Sequence, residues 1–231
     1  MKYRPYKKEL DYSYTVGAYP TIELLTHRQA EIVYVSEKAS PDLRAKIDAV
    51  AGNTPIEVND KAILRLSGDQ GALVAGVFMK YQSTLNPADP HVVLARPDDM
   101  GNLGTIIRSM VGLGYTSLAI IKPSLDHFNP KVIRSSTGAV FLCNVVYFDS
   151  LEAYQTAFPN HQIYAFALDR NATPLRQCKF ASKHALLFGN EGSGLSESEV
   201  NLGQTVFIEQ SDQIDSLNLG VAVSIAMYQA K

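Results

Sequence analysis

The chain has 231 residues, 46% of them hydrophobic and 19% charged, enough apolar material to bury a core in one large domain or two small ones. A net charge of −2 argues against a globally basic nucleic-acid binder, and no apolar run reaches membrane-spanning length. The basic start "MKYRPYKKEL" lacks the apolar stretch of a signal peptide, so a soluble cytoplasmic protein is expected, with Cys143 and Cys178, far apart and outside any CxxC, as reduced thiols.

In chain order, "EIVYV" (31–35) reads as a strand. "SPDLRAKIDAV" (40–50) reads as a helix with Ser40 as cap and Pro41 at its first position. "PIEV" (55–58) and "ALVAGVFM" (72–79) read as strands. "QSTLNPADP" (82–90) collects polar residues and prolines, which predicts a loop and a domain boundary. "HVVLA" (91–95) is a buried strand, and "NLGTIIRSMVGLG" (102–114) carries apolar residues at helical spacing. "SLAII" (117–121) is the next strand. A short helix near 130–136, strand "NVVYF" (144–148), and a helix capped by Asp149 or Ser150 follow. Strands are expected at 162–168, 184–189 and 205–209, with a helical turn at 196–202 capped by Ser196. "SLNLGVAVSIAMYQ" (216–229) closes the chain as a helix apolar nearly all round, which needs a second buried face. A homodimer interface would supply it; packing wholly within one domain is the alternative. Near-continuous apolar strands alternating with helices predict an α/β fold with a parallel sheet covered on both faces.

Ligands of open parallel sheets bind beyond the carboxyl ends of the strands. Three polar segments carrying glycine, asparagine or serine follow such ends: 98–109, 188–196 and 208–218. Each has residues that turn tightly and expose backbone NH and CO groups. Plain structural turns explain any one of them alone. The glycine run at 189–194 matches GxGxxG only loosely and has no Walker lysine, which counts against a nucleotide-dependent oxidoreductase.

"GNLGTIIRS" (101–109), "LLFGNEGSGL" (186–195) and "SLNLGVAVSIAMYQ" (216–229), in that order, resemble the three motifs of the SpoU/TrmH family. These are S-adenosylmethionine-dependent RNA ribose 2′-O-methyltransferases of the SPOUT class. "KVIRSSTGAVF" (131–141) is similar to the segment between motifs, and the resemblance covers roughly residues 90–231. It implies a C-terminal trefoil knot, needing small residues where segments cross. It implies an S-adenosyl-L-methionine site of Gly189, Asn190, Glu191, Gly192, Ile208, Ser216, Leu217 and Asn218. Gly189, Ile208 and Leu217 would line it, and Asn190, Glu191, Ser216 and Asn218 would brace the crossing loops. The implied catalytic residues are Arg108 and Asn102. A guanidinium holds its proton, so a fixed positive charge suits Arg108 better than a general base. A surface salt bridge is the plain alternative for Arg108, a helix N-cap for Asn102, and an ordinary turn residue for Glu191. One departure stands out: Glu209, Gln210, Ser211 and Asp212 occupy the loop where relatives carry proline, methionine and glycine.

The first part, 1–83, is similar to the family's L30e-like substrate-binding domain, on "GAYPTIELLTHRQAEIVYVSEKA" (17–39) and "DQGALVAGVF" (69–78). Arg28, Tyr19 and Thr26 would meet RNA there, or form a solvated surface. Charge is uneven: 11 Lys and Arg against 10 Asp and Glu up to residue 85, and 10 against 13 beyond. RNA contact therefore needs a local patch such as Lys2, Arg4, Lys7 and Lys8. The implied partner is structured RNA, ribosomal RNA ahead of transfer RNA. A catalytically inactive RNA-binding assembly factor is the alternative. His27, His91, His127, His161 and His184 show no metal-ligand spacing, so no metal is expected. His127, in "LDHFNP", reads as a loop residue near substrate or a surface histidine.

Overall fold

The structure, a computed structural model, describes residues 3–231; Lys2 of the basic patch lies outside the described residues. In chain order the elements are β1 (Tyr12–Tyr14), α1 (Ala18–His27), β2 (Ile32–Val35), α2 (Pro41–Ala51), β3 (Ile56–Val58), α3 (Asp60–Ser67) and β4 (Val74–Met79). Then come β5 (His91–Ala95), α4 (Met100–Gly112), β6 (Ser117–Ile121), α5 (Pro130–Ser135), β7 (Asn144–Phe148), α6 (Leu151–Ala157) and β8 (Gln162–Phe166). The chain ends with β9 (Thr173–Pro174), β10 (His184–Phe188), α7 (Glu197–Val200), β11 (Gln204–Phe207) and α8 (Leu219–Gln229). No helix among the described residues is long and apolar enough to cross a membrane.

The chain forms two compact units. The first takes residues up to Tyr81 together with Asp126–Leu142, and the second takes Gln82–Leu125 and Cys143–Lys231. The break after Tyr81 falls at the loop singled out in the sequence. The return of Asp126–Leu142 to the first unit was not anticipated, and packing explains it. Phe128 and Phe141 set their rings edge-on to Phe78 of β4, with centroids 5.5 and 5.1 Å away. The Ser13 hydroxyl donates to the Phe128 carbonyl at 2.5 Å. Asp126 accepts from the Tyr6 hydroxyl at 2.6 Å and from Lys80 Nζ at 2.7 Å. Burial acts to raise the Asp126 pKa, but these donors outweigh it and hold the carboxyl below its ordinary value.

In the first unit a four-stranded sheet runs β1-β4-β2-β3, with only β2 and β3 parallel. α2 begins as its sequence predicts: Ser40 accepts from the Leu43 N–H and Pro41 takes the first position. α3 was missed by periodicity. It is only 8 residues long, capped by Asn59 and ended by Gly68 in the left-handed region at φ 66°.

The second unit is built on a seven-stranded sheet, β7-β6-β5-β10-β8-β11-β9, in which every neighbouring pair is parallel. β5, β6 and β10 are buried along their whole length, which accounts for their unbroken apolar runs. β5, β6 and β7 keep the bounds predicted from sequence. The chain leaves β5 toward β6 and β7, then returns to β8 and inserts β10 beside β5. That reversal is the switch point where open α/β sheets bind ligands.

Candidate functional site

A cavity of about 660 Å³ lies beyond the carboxyl ends of β8, β10 and β11. Its apolar wall includes Phe166 and Phe188, the last residues of β8 and β10, whose rings stack at 4.4 Å with planes 7° apart. The 189–194 turn forms the facing wall. Asn190 and Gly194 pair through backbone hydrogen bonds of 3.3 and 2.9 Å, and Asn190 Oδ1 accepts from the Gly192 and Ser193 N–H groups at 2.9 and 3.1 Å. Gly189 sits so close to this pairing that any Cβ there would collide with the backbone of Gly194 and Leu195. Gly194 has φ 67°, a conformation L side chains rarely take. The bare stretch is thus a hairpin closed on itself.

Three distant segments meet at the rim. Asn102 Nδ2 donates to Glu191 Oε1 at 3.3 Å, and the Asp98 N–H donates to Glu191 Oε2 at 3.4 Å. Asn218 Nδ2 donates to Asn102 Oδ1 at 2.9 Å, while its own Oδ1 accepts from the Gly220 N–H at 2.9 Å. Asn190 Nδ2 donates to the Arg96 carbonyl at 2.9 Å. Glu191 is therefore more than a turn residue: with Asn102 and Asn218 it ties the start of α4, the glycine turn and the start of α8. The N-cap of α4 is Asp99, which accepts from the Asn102 N–H at 2.6 Å; this corrects the reading of Asn102 as cap. Its side chain is thereby left to bridge Glu191 and Asn218.

The cavity is lined by Asn102, Gly189, Asn190, Glu191, Gly192, Ile208, Ser216, Leu217 and Asn218. Nine of the ten residues singled out in the sequence thus surround one space. Arg108 does not line it. It is exposed on α4, one turn beyond Thr105, which lies close to Gly220 of α8. No ion pair among the described residues includes Arg108, so the salt-bridge alternative fails.

The loop that departs from the family pattern has its own supports. Gln210 Nε2 donates to the Asp215 carbonyl at 3.2 Å, and both residues line the cavity. Asp212 pairs with Arg170, and Glu209 with Arg176 at 3.7 Å.

Two features escaped the sequence. The aromatic pair is one, although β8 and β10 both end in phenylalanine. The other is Arg96, which bonds Glu199 through both terminal nitrogens at 2.5 and 2.8 Å. Glu199 also accepts from the Ser196 N–H at 2.8 Å, completing the capping box of α7. The Arg96 bonds hold the Glu199 carboxyl down at about 2. Only the S-x-x-E spacing of 196–199 hinted at any of this.

The opposite end of the same sheet is different. His91 and His184, first residues of β5 and β10, are buried with His161. His91 Nδ1 meets the Tyr154 hydroxyl at 2.9 Å, its ring stacks on His161 at 4.1 Å, and His184 Nε2 meets the Tyr115 hydroxyl at 2.9 Å. Burial pushes the His91 pKa down to about 4 and lowers that of His184. His127, expected as a loop residue near substrate or on the surface, is instead buried in the first unit, its ring tilted 39° against that of Phe128 and its pKa pushed by burial to about 4. No cluster of three or more His, Cys, Asp or Glu among the described residues could hold a metal ion.

The profile of the SpoU rRNA Methylase family matches residues 89–228. An uncharacterized tRNA/rRNA methyltransferase of Synechocystis sp. is 33% identical over 181 residues, 69% of this chain and 66% of that protein. The 23S rRNA (guanosine(2553)-2′-O)-methyltransferase RlmP of Bacillus subtilis is 30% identical over 169 residues, 68% of this chain and 64% of that protein. The matched part thus spans just under two thirds of these relatives. The SpoU methyltransferase AviRb of Streptomyces viridochromogenes, solved with the cofactor AdoMet, superposes with TM-score 0.80 at 24% identity, over 95% of this chain and 89% of that one. The likeness to AviRb fixes the fold. With a profile match over both rim motifs and the closing helix, the chain belongs to the SpoU rRNA Methylase family.

Proposed function

We propose that the protein transfers a methyl group from S-adenosylmethionine to a ribose 2′-hydroxyl in structured RNA, ribosomal RNA ahead of transfer RNA. The observation that carries this is the Glu191–Asn102–Asn218 hydrogen-bond chain at the rim of a cavity walled by bare backbone. The cavity suits the cofactor on three counts. Its volume of about 660 Å³ is that of a small-molecule site, its stacked phenylalanines offer an apolar wall, and the charged residues lining it among the described residues, Glu191 and Asp215, are acidic. A cationic sulfonium fits that charge. The named activity of the B. subtilis relative, on 23S rRNA, favours ribosomal RNA.

When bound, S-adenosylmethionine supplies an activated methyl and a neutral leaving group. The chain's part is to orient and to manage charge. Gly189, Ile208 and Leu217 hold the cofactor side. Asn190, Gly192 and Ser216 shape the turn and loop that enclose it. Asn102, fixed from both sides by Glu191 and Asn218, presents a rigid polar group at the rim. Arg108 acts as a fixed cation that grips an RNA phosphate and steadies the alkoxide that forms at the 2′-oxygen as the hydroxyl proton passes to solvent water.

The same reading includes a trefoil knot through the three joined segments and a homodimer. α8 carries Val221, Ile225 and Tyr228 on one stripe, 47%, 39% and 74% exposed, and burying them against a second copy accounts for a helix apolar on all sides. The first unit, with exposed Tyr19, Thr26 and Arg28 on and beside α1, would hold the RNA in the manner of an L30e-like domain. Cytoplasmic residence follows from that substrate.

Tritiated methyl transfer to total RNA, taken from cells lacking the protein, tests the activity. Arg108→Ala is expected to reduce transfer by about 100-fold or more while cofactor affinity changes by less than about threefold. Full activity in that variant would remove Arg108 from the chemistry. Absence of any calorimetric binding of S-adenosylmethionine would turn the assignment toward an RNA-binding assembly factor.

A further inference from the structure

Two hollows share the glycine turn: Asn190 and Ser193 line the cavity and also a second, more open depression of about 440 Å³. Pro97, Pro123 and Leu125 give that depression apolar walls, and Arg96, Asp98 and Ser124 give it a polar edge. We infer that this depression receives the nucleobase of the RNA nucleotide being modified, so that base and cofactor share the 190–193 turn. The inference rests on the proposed function and adds to it a site for the acceptor.

Continuity is the first argument. Asp98 lines the depression and Asn102 lines the cavity, four residues further along one segment, and both are bonded to Glu191. A nucleotide with its base in the depression would therefore bring its ribose to the rim where Asn102 is fixed. Charge is the second. Arg96 is neutralised by its two bonds to Glu199, and the Asp98 carboxylate stands beside it. A phosphate would gain little there and would meet a carboxylate. A neutral planar ring with donors and acceptors on its edge matches apolar faces rimmed by a guanidinium, a carboxylate and a hydroxyl. Shape is the third. An open depression of about 440 Å³ leaves room for an extruded base, as expected when chemistry is done on a nucleotide taken out of its stack.

The site is also held firmly. Arg96 has φ 56°, a conformation uncommon for a side-chain-bearing residue, and four bonds pin it there: one from its N–H to the Ile121 carbonyl at 3.0 Å, one to its carbonyl from Asn190 Nδ2, and two from its guanidinium to Glu199. The other wall is tied where the Tyr147 hydroxyl donates to the Leu125 carbonyl at 3.0 Å.

The test fills the depression from positions that do not line the cofactor cavity. Ser124→Trp and Leu125→Trp would be compared with the unaltered full chain in two measurements: calorimetric titration with S-adenosylmethionine, and tritiated methyl transfer to total RNA from cells lacking the protein. The expected result is cofactor affinity within about twofold and a fall in transfer kcat/KM of at least about tenfold in both variants. Wild-type transfer in either tryptophan variant overturns the inference. Loss of cofactor binding in both overturns it too, because the depression would then be scaffold for the cavity. Failure of the unaltered chain to bind S-adenosylmethionine would instead sink the proposed function, so the two failures are distinguishable.

Discussion

The two ends of the seven-stranded sheet use the same strands for opposite purposes. At the carboxyl end, β5, β8, β10 and β11 run into open loops joined by side-chain amides, carboxylates and bare glycine backbone. At the amino end, β5 and β10 begin with buried histidines bonded to buried tyrosines. Polar groups at the first end are partly exposed; those at the second, His161 Nδ1 apart, are bonded within the protein and have little to offer a ligand. Buried titratable groups are therefore a poor guide to the site here. Backbone that tolerates no side chain is the better one.

Substitutions that separate the two ends test this contrast. The largest effect is expected from Gly189→Ala. The added Cβ strikes main chain, which cannot yield as a side chain tip does. A cost of roughly 3 kcal/mol and at least about a 100-fold loss of S-adenosylmethionine affinity should follow, read by thermal melting and calorimetry. Wild-type affinity in that variant would break the contrast outright.

Acid should act at the other end. His91 has a folded pKa near 4 against an ordinary 6.5, and burial lowers His184 in the same direction. Over that interval the unfolded chain binds more protons than the folded one, so stability rises with pH. The neutral histidines' contribution is complete above pH 6.5 and is lost as pH falls toward 4. Buried His127 of the first unit loses stability in the same window. Melting temperature should fall between those values, and replacing His91 with Leu should flatten the profile. Glu199 adds a lower window, from its ordinary 4.5 down to about 2, where protonation removes the Arg96 pair.

Smaller effects sharpen the picture. Arg96→Ala removes both bonds to Glu199 and loosens α7 while the Arg96 carbonyl still holds Asn190, so melting temperature should fall modestly and cofactor binding should weaken by no more than about threefold. Tyr154→Phe removes the partner of His91 Nδ1. It should cost about 1–2 kcal/mol of stability and leave cofactor affinity unchanged. A measurable change in that affinity would show that the two ends are coupled.

Much of the second unit could be read in advance. The apolar runs of β5, β6 and β10 carry the burial of a parallel sheet on their face. The first unit was harder. β1 has three residues, and α1 holds Pro20 and β-branched Thr21 and Ile22, so neither shows a clean period. At the site, periodicity located three loops at strand ends. Their likeness to a known motif set, rather than their chemistry, supplied Asn102, Glu191 and Asn218. The Arg96–Glu199 pair joins residues 103 positions apart, and no local pattern can announce such a bond.

The excursion of Asp126–Leu142 changes what the loop at 82–90 means. The polypeptide passes between the units at three places, so a protease nick in that loop leaves the halves still tethered twice. A fragment ending at residue 83 would also expose Phe78 without Phe128 and Phe141 to cover it. The stretch that looks like a hinge between two autonomous modules is one strand of a triple seam, and dissecting this protein requires carrying 126–142 across with the first unit.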